Sequence, residues 1–150
     1  MVSYTYDSGR RIIPSFASKK VVSSSTKHYH NKLYRTAKLP SSARNLLDYL
    51  VEKMSDLNEV ENSPLRRASF IQFMKKNCSV SYSDHTVHKS FQKLRQAGLL
   101  IRVKMRGVYA INPMCFFRGP EKKRIALLQA MLSNIPTGSK YDMGDVRRSL

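Results

Sequence analysis

Ser83-Asp84-His85-Thr86-Val87-His88-Lys89-Ser90-Phe91-Gln92-Lys93-Leu94-Arg95-Gln96-Ala97-Gly98 carries the strongest helix signature in the chain, and the neighbouring elements are placed around it. Val87, Phe91 and Leu94 are spaced by four and then three residues, which puts them on one face of a helix. Ser83 offers a hydroxyl cap, and Asp84 places a carboxylate in the first turn, where the helix dipole favours it. Gly98 follows the last turn, ready for a left-handed conformation. The spacing predicts a helix over residues 83–97. His85, Thr86, His88, Lys89, Ser90, Gln92, Lys93 and Arg95 fill its remaining faces with polar and basic groups.

Upstream, the break Asn62-Ser63-Pro64 precedes a second helix near residues 67–77. Phe70, Ile71, Phe73 and Met74 give it an apolar face, and Lys75 and Lys76 suit the negative end of its dipole. The short polar run Cys78-Ser79-Val80-Ser81-Tyr82 joins it to the helix that follows. Earlier still, Pro40-Ser41-Ser42 opens a helix whose buried stripe is Leu46, Leu47, Leu50, Val51 and Met54. Its exposed residues include Asp48, Glu52, Asp56 and Glu59 against Arg44 and Lys53, a poor surface for DNA, so it reads as scaffold.

Downstream the period changes. Leu99-Leu100-Ile101-Arg102-Val103-Lys104, the turn Met105-Arg106-Gly107 and the return Val108-Tyr109-Ala110-Ile111 predict a β-hairpin, with glycine where the turn needs positive φ. Asn112-Pro113 ends the return strand. After Gly119-Pro120 a last helix is expected over about residues 121–132, its stripe Ile125, Leu128 and Met131 or Leu132 behind a basic start Lys122-Lys123-Arg124. This order of elements predicts a mainly α fold with a small β-hairpin wing, a winged helix-turn-helix, over residues 40–133. Residues 1–39 read as a basic, partly flexible arm in which Tyr4, Tyr6, Ile12, Ile13, Val21 and Val22 suit short strands. Residues 134–150 read as a flexible tail.

Twenty-seven Lys and Arg against ten Asp and Glu give a formal net charge of +17. So unbalanced a field attracts a polyanion and weakens as salt rises. There is no apolar run near the ~18 residues of a membrane span, and residues 1–11 are too polar for a secretory signal, so cytoplasmic residence without a membrane partner is expected. Cys78 and Cys115 are too few for a disulfide framework and read as reduced, partly buried thiols.

An α-helix fills the major groove of a duplex, and a flanking hairpin reaches its phosphates. Double-stranded DNA is therefore the expected partner, with Ser81, Ser83, His85, Thr86, Lys89, Ser90 and Lys93 facing it from the 83–97 helix and its approach. Arg95 is expected on the backbone, and Arg102, Lys104 and Arg106 reach phosphates from the wing. From residue 99 to 118 the wing region holds four basic residues and no carboxylate. A solvated charged face is the bland alternative, and the total charge weighs against it.

No catalytic site, metal or cofactor is expected. His28-Tyr29-His30 has the spacing of a two-histidine metal pair, but it sits in a basic loop rather than on a central strand. Cys78, His85 and His88 lack a fourth ligand for zinc. Thr137-Gly138-Ser139-Lys140 has neither the length nor the order of a phosphate-binding loop.

Residues 80–100 resemble a generic prokaryotic winged-helix reader. The continuation Arg106-Gly107-Val108-Tyr109-Ala110-Ile111-Asn112-Pro113, through Phe116-Phe117-Arg118-Gly119 and into Glu121-Lys122-Lys123-Arg124, resembles the RepL-type plasmid replication initiator family. In that family a wing strand leads to an Asn-Pro, an aromatic pair, a small loop and a basic helix, and the likeness covers roughly residues 40–133. It implies an origin-binding initiator that recruits host replication proteins, with Lys89, Lys93 and Arg106 on DNA and Tyr109, Ile111, Asn112 and Pro113 as a structural joint. Sequence-specific binding at a plasmid-type origin, by a dimer on a repeated or palindromic site, is the expected function. A winged-helix transcriptional repressor or activator is the alternative, and an architectural coating protein the third reading.

Overall fold

The computed structural model describes residues 5–7, 10–12, 26–29, 31–133 and 140–150. Along the chain the elements are β1 (Thr5–Asp7), β2 (Arg10–Ile12), β3 (Thr26–His28), α1 (Asn31–Thr36), α2 (Ser41–Lys53), β4 (Glu59–Glu61) and α3 (Pro64–Cys78). There follow α4 (Asp84–Gln96), β5 (Leu100–Arg102), β6 (Val108–Ile111), β7 (Phe116–Arg118), α5 (Glu121–Leu132) and α6 (Met143–Ser149). This is a mainly helical fold with small antiparallel sheets, consistent with a winged-helix arrangement. Among the described residues no helix is long and apolar enough to cross a membrane.

Local chemistry starts and stops the central helices, α4 within a residue of its expected bounds and α3 three residues earlier than the expected 67. The Ser63 hydroxyl accepts from the Arg66 N–H at 3.1 Å, and Pro64 fills the first turn of α3, where a missing N–H costs nothing. The Ser83 hydroxyl accepts from the Thr86 N–H at 3.1 Å and opens α4. Between them Tyr82 turns inward, stacked on Phe70 with its hydroxyl accepting from Asn45 at 2.9 Å. Gly98, at φ 76°, ends α4 and turns the chain into β5.

The sheet runs β4-β6-β5, with Val60 opposite Tyr109 and Ile101 opposite Ala110. β4 was not expected: three residues of Glu-Val-Glu carry too short an alternation to read. The sheet is apolar on both faces, which is why residues 99–101 form an unbroken apolar run. On one face Leu100 and Ile111 pack with Val87, Phe91 and Leu94 of α4, Phe70 and Met74 of α3, and the Leu46-Leu47-Leu50 stripe of α2. On the other, Ile101, Val103 and Ala110 pack with Phe117, Leu127, Met131, Tyr141 and Val146.

That second layer corrects three expectations. The last ten residues are not loose. Tyr141 bridges Val103, the Lys104 N–H donates to the Lys140 carbonyl at 2.8 Å, and the Asp142 N–H donates to the Arg102 carbonyl at 2.8 Å. The segment thereby covers the free edge of β5. The arm is likewise part of the body from β3 onward. β3 pairs with β7, and Arg35 on α1 donates to the carbonyls of Ala97, Arg148 and Ser149. Of the expected strand residues, Tyr6 and Ile12 lie on β1 and β2, which pair with each other; Tyr4, Ile13, Val21 and Val22 lie outside the described residues.

The third correction is the rotation of α5, which buries Leu127 and Met131 and leaves Ile125 45% and Leu132 56% exposed. Arg124 is the cause. Its guanidinium lies 4.0 Å from the Tyr29 ring centroid and donates to the Pro113 carbonyl at 2.7 Å, so a residue expected outside is turned in. On α3, Phe73 is largely exposed, and Cys78 is exposed rather than tucked in. Cys115 is buried, and burial pushes its thiol up to about 11.

Buried polar groups join the layers. Asn112 is fully buried, donating to the carbonyls of Gly98 at 2.8 Å and Ser149 at 3.0 Å while its Oδ1 accepts from the Met114 N–H. Asp145, 1% exposed, accepts from Arg95 Nε at 2.6 Å, the Arg102 N–H at 2.9 Å and Arg148 Nη1 at 2.8 Å. Burial pushes the Asp145 carboxyl up, but the Arg95 hydrogen bond, the Arg102 N–H and Arg148 outweigh it and hold it below its ordinary 3.8.

Two outcomes are expected. Gly98→Ala lowers stability in urea unfolding by about 1–2 kcal/mol, since a side chain there must adopt positive φ and meets Arg35. The depressed Asp145 pKa stabilises the fold in full above the unfolded aspartate value and is lost as pH falls through the folded value. Asp145→Asn therefore lowers stability near neutrality, by about 1–3 kcal/mol, and flattens the acid limb of stability against pH.

Candidate nucleic-acid interface

α4 turns Val87, Ser90, Phe91 and Leu94 inward. At 3.6 residues per turn, the line opposite runs through His85, Lys89, Gln92 and Gln96, all exposed, with His88 and Lys93 exposed on its flanks. Of the residues expected on this face, His85, Lys89 and Lys93 stand clear. Gln92 and Gln96 are not among the residues expected on DNA, although measuring 180° from the apolar stripe finds them.

Ser90 is a correction. It is 2% exposed, donating to the Thr86 carbonyl at 2.9 Å and lying 3.3 Å from the Ser42 hydroxyl, so it joins α4 to α2 and offers nothing to a duplex. A small hydroxyl one residue from Phe91 fits the tight approach of the two helices, where a longer side chain would not. Ser83 and Thr86 are at the surface end of α4, but they share a hydrogen bond at 3.0 Å and Ser83 is occupied as the cap. Ser81 is exposed just before them.

Arg95 departs from its expected free state. Besides Asp145, it lies 3.6 Å from Asp142, and the Asp145 hydrogen bond raises its pKa. The wing is acid-free along the chain but not in space, because α6 and the turn before it deliver two carboxylates to its base. Nothing in residues 99–118 signals that; only the long-range fold does.

The wing tip is the loop between Val103 and Val108. Gly107 takes φ 73°, and its carbonyl accepts from the Asn62 N–H at 2.7 Å, which ties the loop to the start of α3. Lys104, Met105 and Arg106 project into solvent there, and Arg102 is exposed at the base. At the start of α4, Asp84 pairs with Arg67 of α3 at 2.8 Å, so the first carboxylate of the helix is neutralised. The exposed surface of α4 and the wing tip is therefore cationic and polar.

Among the described residues no group of three or more His, Cys, Asp or Glu is placed to hold a metal. His28 lies on β3 edge-on to Phe116, with its Nδ1 3.0 Å from Lys32 Nζ, while the Tyr29 hydroxyl donates to Glu121 at 3.0 Å. His30 is outside the described residues. Burial first, then the Glu121 hydrogen bond, raises the Tyr29 pKa.

No curated protein and no solved structure matches the chain. Residues 66–137, just under half of the sequence, match the family model described as Firmicute plasmid replication protein (RepL), a span that takes in α3 from its first turn, α4, the β5–β6 hairpin, β7 and α5.

Proposed function

We propose that this chain is a winged helix-turn-helix protein that binds double-stranded DNA sequence-specifically at a plasmid-type replication origin. There it initiates or controls replication by recruiting host replication proteins. The observation that carries the reading is the coincidence of two spans: the RepL match covers the same residues that form the cationic reading helix and wing. That match favours replication over transcriptional regulation, which the same surface would also serve.

In this reading α3 braces α4 from behind, and α4 enters the major groove with its outer line toward the base edges. Lys89 meets guanine O6 and N7, His85 and Gln92 offer hydrogen bonds to neighbouring bases, and Lys93 takes a phosphate. Ser81 and the Ser83–Thr86 hydroxyl pair lie at the end of α4 that approaches the backbone first, where hydroxyls and helix N–H groups suit phosphate. Lys104 and Arg106 hold the wing on the flanking strand. The net charge of +17 supplies the long-range attraction, and two copies on a palindromic or repeated site would double the specific contacts.

Competitive binding of labelled origin duplex tests the assignment. Lys89→Ala is expected to cost about 1–3 kcal/mol and to relax discrimination at one base position. Lys93→Ala is expected to weaken specific and unrelated duplexes alike and to lower the salt slope by about one. A double variant that binds as tightly as the parent would rule the face out. Loss of maintenance of a plasmid supplied only with this gene and its flanking DNA, in the same double variant, separates initiation from transcriptional control.

A further inference from the structure

Beside α4 lies an open cleft of about 570 Å³ that shares Gln92 with the outward line of the helix and extends from it to the hairpin and α6. His88, Gln92 and Arg95 of α4 form one wall, Arg102 and Tyr109 of the hairpin another, and Arg148 of α6 the third. We propose that this cleft seats a backbone phosphodiester of the bound duplex, gripped by Arg102 and Arg148, with Asp145 as the residue that positions the three walls. The proposal rests on the DNA-binding reading and adds the carboxy-terminal helix to its interface.

Three guanidinium groups meet there against the carboxylates of Asp142 and Asp145, which leaves a positive excess. Each guanidinium has five N–H donors in a planar fork. Asp145 takes Nε of Arg95 and Nη1 of Arg148, so both keep donors to spare. Among the described residues no carboxylate pairs with the side chain of Arg102, which stands exposed at the base of the wing. A tetrahedral anion with two free oxygens is the ligand that such forks match, and a duplex lying along α4 and the wing carries one at regular intervals.

The position of Asp145 gives the cleft its shape before any ligand arrives. One buried carboxylate holds a side chain of α4, the backbone N–H of β5 and a side chain of α6. Reading helix and wing are thereby fixed relative to each other, and binding does not have to supply the ordering cost.

The charge balance makes this testable. Asp145→Asn removes a negative charge from a DNA-binding surface, so electrostatics alone would tighten binding; a positioning role weakens it. Duplex binding by the full chain is to be followed by fluorescence anisotropy over a salt series, with thermal unfolding of each variant as a folding check. Arg148→Ala is expected to weaken binding roughly tenfold and reduce the salt slope by about one. Arg147→Ala, the same charge change on an exposed neighbour outside the cleft, is expected to leave binding near the parent value. Arg148→Lys is expected to recover the slope but only part of the affinity, since an ammonium lacks the fork.

Tighter or unchanged binding by Asp145→Asn, or Arg148→Ala indistinguishable from Arg147→Ala, overturns the proposal. If Asp145→Asn unfolds, the comparison of Arg148 with Arg147 decides alone. Should Arg148→Ala bind like the parent while the Lys89 and Lys93 double variant does not, the cleft assignment falls and the DNA reading stands. A parent chain that retains no duplex removes both.

Discussion

Three polar side chains converge at the carboxy-terminal end of α4. Arg35 reaches the Ala97 carbonyl from α1, Asn112 reaches the Gly98 carbonyl from the end of β6, and Asp145 takes the Arg95 guanidinium from α6. A helix end normally leaves carbonyls without partners, and burying them unpaired is costly. Here the partners come from segments far apart in the chain. Arg35 and Asn112 also bond carbonyls at the end of α6, so the ends of α4 and α6 are held by the same two side chains. The orientation of α4 follows from this junction and from the apolar layer beneath it.

Two apolar layers on either side of a three-stranded sheet then give each helix one task. α2 and α3 bury the stripe Val87, Phe91 and Leu94 and leave the opposite line of α4 in solvent. α5 and α6 cover the other face of the sheet and the free edge of β5. The acidic residues Asp48 and Glu52 sit on the side of α2 opposite its buried leucines, away from α4. Lys89 and Lys93 of α4 and Lys104 and Arg106 of the hairpin loop are exposed, alongside cations on α3, α5 and α6, a field that favours a polyanion.

How far the sequence disclosed this depends on whether the partner of each signal is near in the chain. α2, α4 and the hairpin were legible because the Ser83 cap, the spacing of Leu46 to Met54 and of Val87 to Leu94, and Gly98 and Gly107 act within a few residues, although the hydroxyl cap expected at Ser41 or Ser42 is absent and Pro40 alone opens α2. α5 was found but rotated wrongly, since the inward pull on Arg124 comes from Tyr29, which no local pattern announces. Ser90 looked like a reader because its neighbours are polar, yet the near approach of Ser42 decides its side. The last ten residues read as loose because Gly, Asp and Arg are poor core formers. Their order comes from Asp145 and Tyr141, whose partners lie some forty residues upstream.

On the proposed function, the outer line of α4 and the hairpin tip meet the duplex while the acidic side of α2 stays free. Backbone amide NMR shifts recorded as origin duplex is added test this most directly. Perturbations concentrated at His85, Lys89, Gln92, Lys104 and Arg106, with Asp48 and Glu52 unmoved, are the predicted result. A map centred on the α2 surface, or an α4 whose outer line does not respond, would contradict it.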